Sequence, residues 1–174
     1  MNYFELFEIP ESMKIDKASL RRKFYQLSRE YHPDHTAGAS EAQQNEALRM
    51  TELINTAYKT LNDDQERIGY ILRSQSLLSA NENHQMPQDF LMQMMDINET
   101  VDDLQSEFDE QKYLELCSEL DDLEKLLNIQ FETNAEKFDN QDDRSGALEN
   151  IKDYYLKSKY LLRIRENLST FADS

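Results

Sequence analysis

REYHPDHT, Arg29–Thr36, holds two of the three histidines in a chain of 174 residues and sets them on either side of Pro33-Asp34. Proline at position 33 disfavours helical geometry at His32 and removes a backbone donor, so a helix running up to Tyr31 stops there. His32–Asp34 is then a loop tip with its polar groups turned outward. Metal binding is one use for such a tip, but tetrahedral zinc asks for four ligands, or three and a water, and the single cysteine is remote at Cys117. Hydrolysis is a second, with His32 as base and Asp34 as its orienter, yet no activated Ser or Cys motif accompanies them. Recognition is a third, in which a rigid proline presents an imidazole and a carboxylate to a partner. An ordinary interhelical turn is the fourth, and the flanks decide among them.

Upstream, Asp16 is a natural N-cap for a helix over Lys17–Tyr31. Leu20, Phe24, Leu27 and Tyr31 are spaced by four, three and four, which is one face of an α-helix. At about 100° per residue, Arg22 and Arg29 fall nearly in line on the opposite face, with Tyr25 and Gln26 beside them and Arg21 and Lys23 at the flanks. Downstream, the polar loop HTAGAS leads into a long helical pattern from Glu41 to Asn62, whose buried stripe is Ala47, Met50, Leu53, Ile54, Ala57, Tyr58 and Leu61. Two helices joined by a short loop pack antiparallel, so the tip projects from the end of an αα-hairpin with one cationic side.

The rest of the chain also reads as helix, with only three Gly and three Pro in all. MNYFELFEIPES is a short apolar turn closed by Pro10, and DDQERIGYILRSQ carries a further helix with Ile68, Tyr70, Ile71 and Leu72 inward. SLLSANENHQMP, residues 76–87, is rich in Ser and Asn and ends in Pro, which marks a linker; His84 within it has no assigned role. Three helices follow, near 88–109, 111–139 and 143–170, with breaks around Glu110 and at DNQDDRSG. The expected fold is all-α: a small helical domain over residues 1–75 and a three-helix bundle over 88–174.

On a wheel, Phe90, Met94, Ile97, Val101, Leu104 and Phe108 form one stripe about 80° wide, the core side of the first bundle helix. Leu91, Met92 and Met95 lie off it, and Glu99, Asp102 and Asp103 continue their sector, with Asp96 to one side. In the last helix Leu156 falls about 140° from Ile151, with Tyr160 near it. Apolar side chains pointing away from the core suggest a docking surface, and methionine suits one. The alternative is burial of Leu91, Met92 and Met95 against the first domain, since small neighbouring domains often share an apolar contact.

Charge divides along the chain. Residues 1–75 have ten basic and twelve acidic side chains, net −2, and residues 76–174 have nine and 23, net −14. Phosphate binding relies on clustered cations, so nucleic acid is excluded as a ligand of the second half, and a basic partner suits it better. One cysteine excludes an intrachain disulfide and fits a reducing compartment. The N-terminus is too acidic for a targeting peptide and no stretch nears the roughly 18 apolar residues of a membrane helix, so the expected location is the cytoplasm, away from membranes.

A basic-faced helix containing LRRKFYQLSRE, the loop YHPD and a long helix ending INTAYKTLND together resemble the J-domain of DnaJ-type co-chaperones. NYFELFEIP, YILRS and DFLMQMMDINETVDDL narrow the resemblance to the HscB family, in which a J-domain is joined to a three-helix domain serving iron–sulfur cluster assembly. Two departures stand out: His35 occupies a position where the family often has Lys, and the Gly/Phe-rich and Cys-rich zinc regions of general DnaJ proteins are absent. A dedicated adaptor is therefore expected, not a chaperone for unfolded clients at large.

The resemblance implies that the chain is not an enzyme and carries no cofactor or metal. His32, Pro33, Asp34, Arg21, Arg22, Lys23, Tyr25 and Arg29 would engage a DnaK-type, HscA-like chaperone and accelerate its ATP hydrolysis. Leu91, Met92, Met95 and Leu156, with Asp96, Glu99 and Asp103, would hold an IscU-like iron–sulfur scaffold protein. A different folded client for the same adaptor is the alternative, and a metal-dependent enzyme built on His32 and His35 the third reading.

Overall fold

The computed structural model of the chain describes residues 1–79 and 85–172. Part of the expected linker, residues 80–84 with His84, lies outside the described residues. The chain divides into two compact units, Met1–Gln75 and Ser76–Ser174. Every regular element among the described residues is helical.

The first unit is built on the hairpin of α2, Lys17–Glu30, and α3, Glu41–Asn62, completed by the short α1, Tyr3–Leu6, and α4, Asp64–Ser74. Its helix starts are locally encoded. Asp16 accepts from the Ala18 N–H at 3.0 Å, Ser40 and Gln43 form a capping box, and Asp63 accepts from the Glu66 N–H at 2.9 Å. Each such cap is worth about 1 kcal/mol by satisfying N–H groups that the helix leaves open. The core is drawn from every element: Phe4 and Phe7, Met13, Leu20, Ile54, Ala57 and Leu61, then Ile68, Ile71 and Leu72.

The expected apolar face of α2 is less deeply covered than its spacing suggests. Leu20 is fully buried, whereas Phe24, Leu27 and Tyr31 are half-buried, because α2 packs on one side only and lies at the rim of the hairpin. Phe24 nevertheless stacks on Tyr58 of α3, with ring centroids 4.2 Å apart. Arg67 is a buried charge that periodicity does not announce. Its Nε donates to the Met13 carbonyl at 2.9 Å, Nη1 to the Leu61 carbonyl at 2.7 Å, and Nη2 to Asp64 at 2.9 Å. One guanidinium thereby ties the segment before α2, the end of α3 and the start of α4 together.

The second unit is three helices: α5, Gln88–Ser106, α6, Glu110–Asp139, and α7, Arg144–Ala172. Phe90, Met94, Ile97, Val101 and Leu104 form the buried stripe of α5 as expected. Phe108 does not join them and is 54% exposed. The break falls at Glu107–Asp109, earlier than expected: Glu107 is extended so that the Asp109 side chain can cap α6, accepting from the Lys112 N–H at 3.1 Å. Carried off the wheel, the Phe108 ring instead lies 5.8 Å from that of Tyr113 and 5.6 Å from that of Phe171.

The long α6–α7 hairpin is pinned at successive levels. Asn150 donates to Asn134 at 3.0 Å, Tyr154 stacks on Phe131 at 4.6 Å, and Arg165 donates to Glu124 at 3.0 Å while also binding Asp121.

Candidate functional site

The tip is not an open loop but a single 3₁₀ turn, Pro33–Thr36. Proline fits its first position, where no N–H is required. His32 acts as its cap: the Asp34 N–H donates to His32 Nδ1 at 3.2 Å. A neutral ring that accepts at Nδ1 carries its proton on Nε2, while Nδ1 also lies 3.5 Å from the Asp34 carboxylate. The His35 N–H donates to the His32 carbonyl at 2.9 Å, and Thr36 Oγ1 to the Pro33 carbonyl at 3.0 Å. These bonds hold the turn while its chemistry stays available, since the side chains of His32 and Asp34 are 55% and 91% exposed.

His32 and His35 meet edge to face at 6.5 Å between ring centroids. Among the described residues no group of three or more His, Cys, Asp or Glu is placed to hold a metal ion.

On α2, Arg21, Arg22, Tyr25, Gln26 and Arg29 are exposed, so the cationic side exists as the wheel drew it. Two of its members are engaged within the chain. Arg22 donates to Ser19 at 2.8 Å, and its charge adds to the Ser19 and Ala18 hydrogen bonds that hold the Asp16 carboxyl below the usual carboxylate range. Lys23 forms an ion pair with Glu8 and is only half-exposed, and that lysine's hydrogen bond and charge hold the Glu8 carboxyl below the usual carboxylate range. The outward positive field therefore comes from the exposed Arg21 and Arg29 and, partly shared with Asp16, from Arg22, with Lys23 turned toward the N-terminal turn. No periodicity signal could have revealed this, because Glu8 lies 15 residues upstream.

On the bundle, Leu91, Met92 and Met95 are 37%, 59% and 70% exposed and share one sector of α5. Asp96, Glu99 and Asp103 are exposed on the same helix, and Asp103 is partly neutralised by Lys112 at 3.5 Å. Leu156 is half-buried and not fully outward. The reason lies one turn on, where Tyr160 of α7 meets Phe90 of α5 edge to face at 6.1 Å and Lys157 Nζ sits 5.5 Å from that ring. Leu156, one turn before Tyr160, thus falls on the α5 side of α7. The seven side chains belong to two neighbouring helices of one unit.

Exposed apolar side chains that the sequence reading did not single out are Leu48 on α3, Leu114, Leu126 and Ile129 on α6, and Leu162 on α7.

An αα-hairpin that presents His-Pro-Asp beside an arginine-bearing helix defines a J-domain protein, and residues 2–70 match the family described as the DnaJ domain. Residues 86–169 match the HSCB C-terminal oligomerisation domain. The co-chaperone protein HscB of Proteus mirabilis (strain HI4320) is 31% identical over 169 residues, covering 97% of this chain and 94% of that protein. Among solved structures, the chaperone HscB from Vibrio cholerae superposes with a TM-score of 0.71 at 26% identity, over 99% of this chain and 98% of its own. The crystal structure of human co-chaperone protein HscB gives 0.75 at 27% identity, over 99% and 82%. The chain belongs to the HscB family, J-domain co-chaperones of iron–sulfur cluster assembly.

Proposed function

We propose that the protein carries an iron–sulfur scaffold protein on its C-terminal bundle and delivers it to a DnaK-type chaperone, whose ATP hydrolysis it accelerates through the J-domain. The observation that carries this reading is the His32–Thr36 turn, locally hydrogen-bonded with His32 and Asp34 exposed, at the end of a helix that carries three exposed arginines. Arg21, Arg22 and Arg29 steer an acidic chaperone surface into encounter and set its orientation. The His32 Nε2–H and the Asp34 carboxylate then make directional contacts that favour the partner's hydrolysing conformation, which shifts an equilibrium only as far as the two conformations differ in those contacts. ATP is hydrolysed at the partner's site; this chain supplies no catalytic group and needs no cofactor.

The client reading is supported by the exposed Leu91, Met92 and Met95 alongside Asp96, Glu99 and Asp103 on α5, in a half of the chain that carries net −14. Apolar anchors give such an interface its residence time, and the acids select a basic client and speed encounter. The proposed place of action is the cytoplasm. In keeping with that, among the described residues no helix is long and apolar enough to cross a membrane.

The test is single-turnover ATP hydrolysis by the DnaK-type chaperone of the same cell, with this protein, with the scaffold protein, and with both. Stimulation by this protein alone and further stimulation by the pair are expected. Stimulation without any effect or binding of the scaffold would point to a different folded client.

A further inference from the structure

In the first unit the exposed large apolar side chains are Met1, Tyr25 and Leu48. Met1 is terminal and Tyr25 belongs to the arginine side of α2. Leu48 is the unexplained one, 53% exposed directly after the buried Ala47, on a stretch of α3 whose other exposed large side chains are polar. A lone exposed leucine is ordinary on a flat surface. This one lines a shallow groove of about 320 Å³ together with Pro33, Thr36, Ala37, Gln44 and Asn45.

Three properties of that groove matter. It carries no formal charge, so covering it desolvates no ion. Its walls are already fixed, by Thr36 Oγ1 on the Pro33 carbonyl at 3.0 Å and by Gln44 Nε2 on the Ala39 carbonyl at 3.0 Å, so little ordering entropy opposes occupation. And Pro33 belongs both to the groove and to the His-Pro-Asp turn, so a protein bound over His32 and Asp34 necessarily reaches the groove's edge.

We infer that Leu48 and this uncharged groove form a specificity contact for the same DnaK-type chaperone, in which Leu48 packs on an uncharged side chain from the surface that reads the tip. The inference rests on the J-domain reading above. The arginines set encounter, the turn sets the conformational response, and Leu48 sets how long the correct partner stays. Because the groove is neutral, its contribution is insensitive to salt, unlike that of α2.

The test titrates the ATP-bound chaperone with wild type, Leu48→Glu and Leu48→Gln, measuring stimulated single-turnover hydrolysis at low and high salt, with His32→Gln as the inactive reference. Leu48→Glu should raise the half-maximal concentration about tenfold and Leu48→Gln about threefold, with maximal stimulation and melting temperature unchanged in both and the salt slope preserved in the uncharged Leu48→Gln. Leu48 is half in solvent, so both variants are expected to fold, and circular dichroism checks it. Wild-type titration curves for both variants, alongside an inactive His32→Gln, would overturn the groove while leaving the J-domain reading intact. A loss of maximal stimulation at unchanged half-maximal concentration would overturn it too, by making Leu48 part of the trigger. Undiminished stimulation by His32→Gln would remove the reading on which the inference stands.

Discussion

Thr51 Oγ1, in the middle of α3, lies 3.1 Å from the carbonyl oxygen of Tyr31, the last residue before the tip, and shares its one proton between that acceptor and the Ala47 carbonyl at 2.9 Å. The end of α2 is thereby tied to α3 where the chain turns away into His32. Thr51→Val removes the hydroxyl at constant shape and should cost about 1 kcal/mol of stability. Faster amide exchange is expected over residues 32–36, with weaker stimulation of the chaperone; Thr51→Ser should retain both. Unchanged exchange in the valine variant would mean that the tip is positioned without this bond.

His32 does two jobs, and one substitution separates them. Asn at position 32 offers its Oδ1 where Nδ1 now accepts from the Asp34 N–H, and it is a favoured cap residue, so the turn should survive. It does not extend to the Nε2–H. His32→Asn should therefore melt within about 0.5 kcal/mol of wild type and still fail to stimulate ATP hydrolysis. Full stimulation would reduce the imidazole to a capping group and withdraw it from the trigger.

The cationic side of α2 is predicted to be unequal. Arg22→Ala combined with Arg29→Ala should slow association with the chaperone about tenfold at low salt and flatten its salt dependence, because steering charges act on encounter. Lys23→Ala should change association far less, since its charge is already paired with Glu8. Equal effects of all three on the association rate would show that the Lys23 pair opens on binding.

Burial pushes the Asp64 carboxyl up, but hydrogen bonds and charge from Lys17 and Arg67 outweigh it and leave the group below the usual carboxylate range. A depressed folded value means stability that is present above the unfolded value, near about 4, and is lost as pH falls through the folded one. Asp64→Asn should thus cost about 0.5–1 kcal/mol at pH 7, the range of a solvent-screened pair, with the gap from wild type closing as pH falls below the ordinary carboxylate range and through the depressed folded value. Chemical denaturation of both proteins across that range measures it. A gap that persists at low pH would assign the loss to packing. Arg67→Met removes three hydrogen bonds from a buried guanidinium and should cost about 3 kcal/mol at pH 7; most of that loss should persist at low pH, because the Met13 and Leu61 carbonyls do not titrate, and only the share from Asp64 should fade.

Helix positions were readable because their signals are local. Asp16, Ser40 and the 3.6-residue apolar period each act within a few residues, and Glu41–Asn62 emerges with both ends as expected. The errors occur where distant residues decide. Phe108 fits the α5 wheel in isolation, but the demand for a cap at Asp109 ends the helix first. Leu156 looks outward from α7 alone and is half-covered because Tyr160 and Lys157 meet Phe90 from another helix. Lys23 counts as a free cation until Glu8 is placed beside it. Leu48 escaped notice for the opposite reason: one leucine off a stripe carries no periodic signal, and its groove exists only once the tip folds back beside α3.

The bundle surface gives the prediction that divides the protein's two halves. Leu91 and Met95 are exposed on α5, Leu156 is half-buried on the neighbouring α7, and the acids follow along α5, so client affinity should depend on apolar anchoring with charge adding orientation. Truncating an interface anchor to Ala commonly costs about 2 kcal/mol, and the half-buried Leu156 will also remove some packing within the bundle. Leu91→Ala with Met95→Ala is therefore the cleaner pair, and Leu156→Ala is added last. The double and triple variants should lose scaffold affinity in that order while residues 1–75 still stimulate the chaperone's basal ATPase. What disappears is the additional stimulation when scaffold and co-chaperone are present together. Asp96→Asn with Glu99→Gln should instead slow scaffold association with little change in the dissociation rate. Should the apolar variants unfold, or loosen the link between the two units while binding scaffold as wild type does, Leu91, Met95 and Leu156 serve the chain's own packing and the client surface lies elsewhere on the bundle.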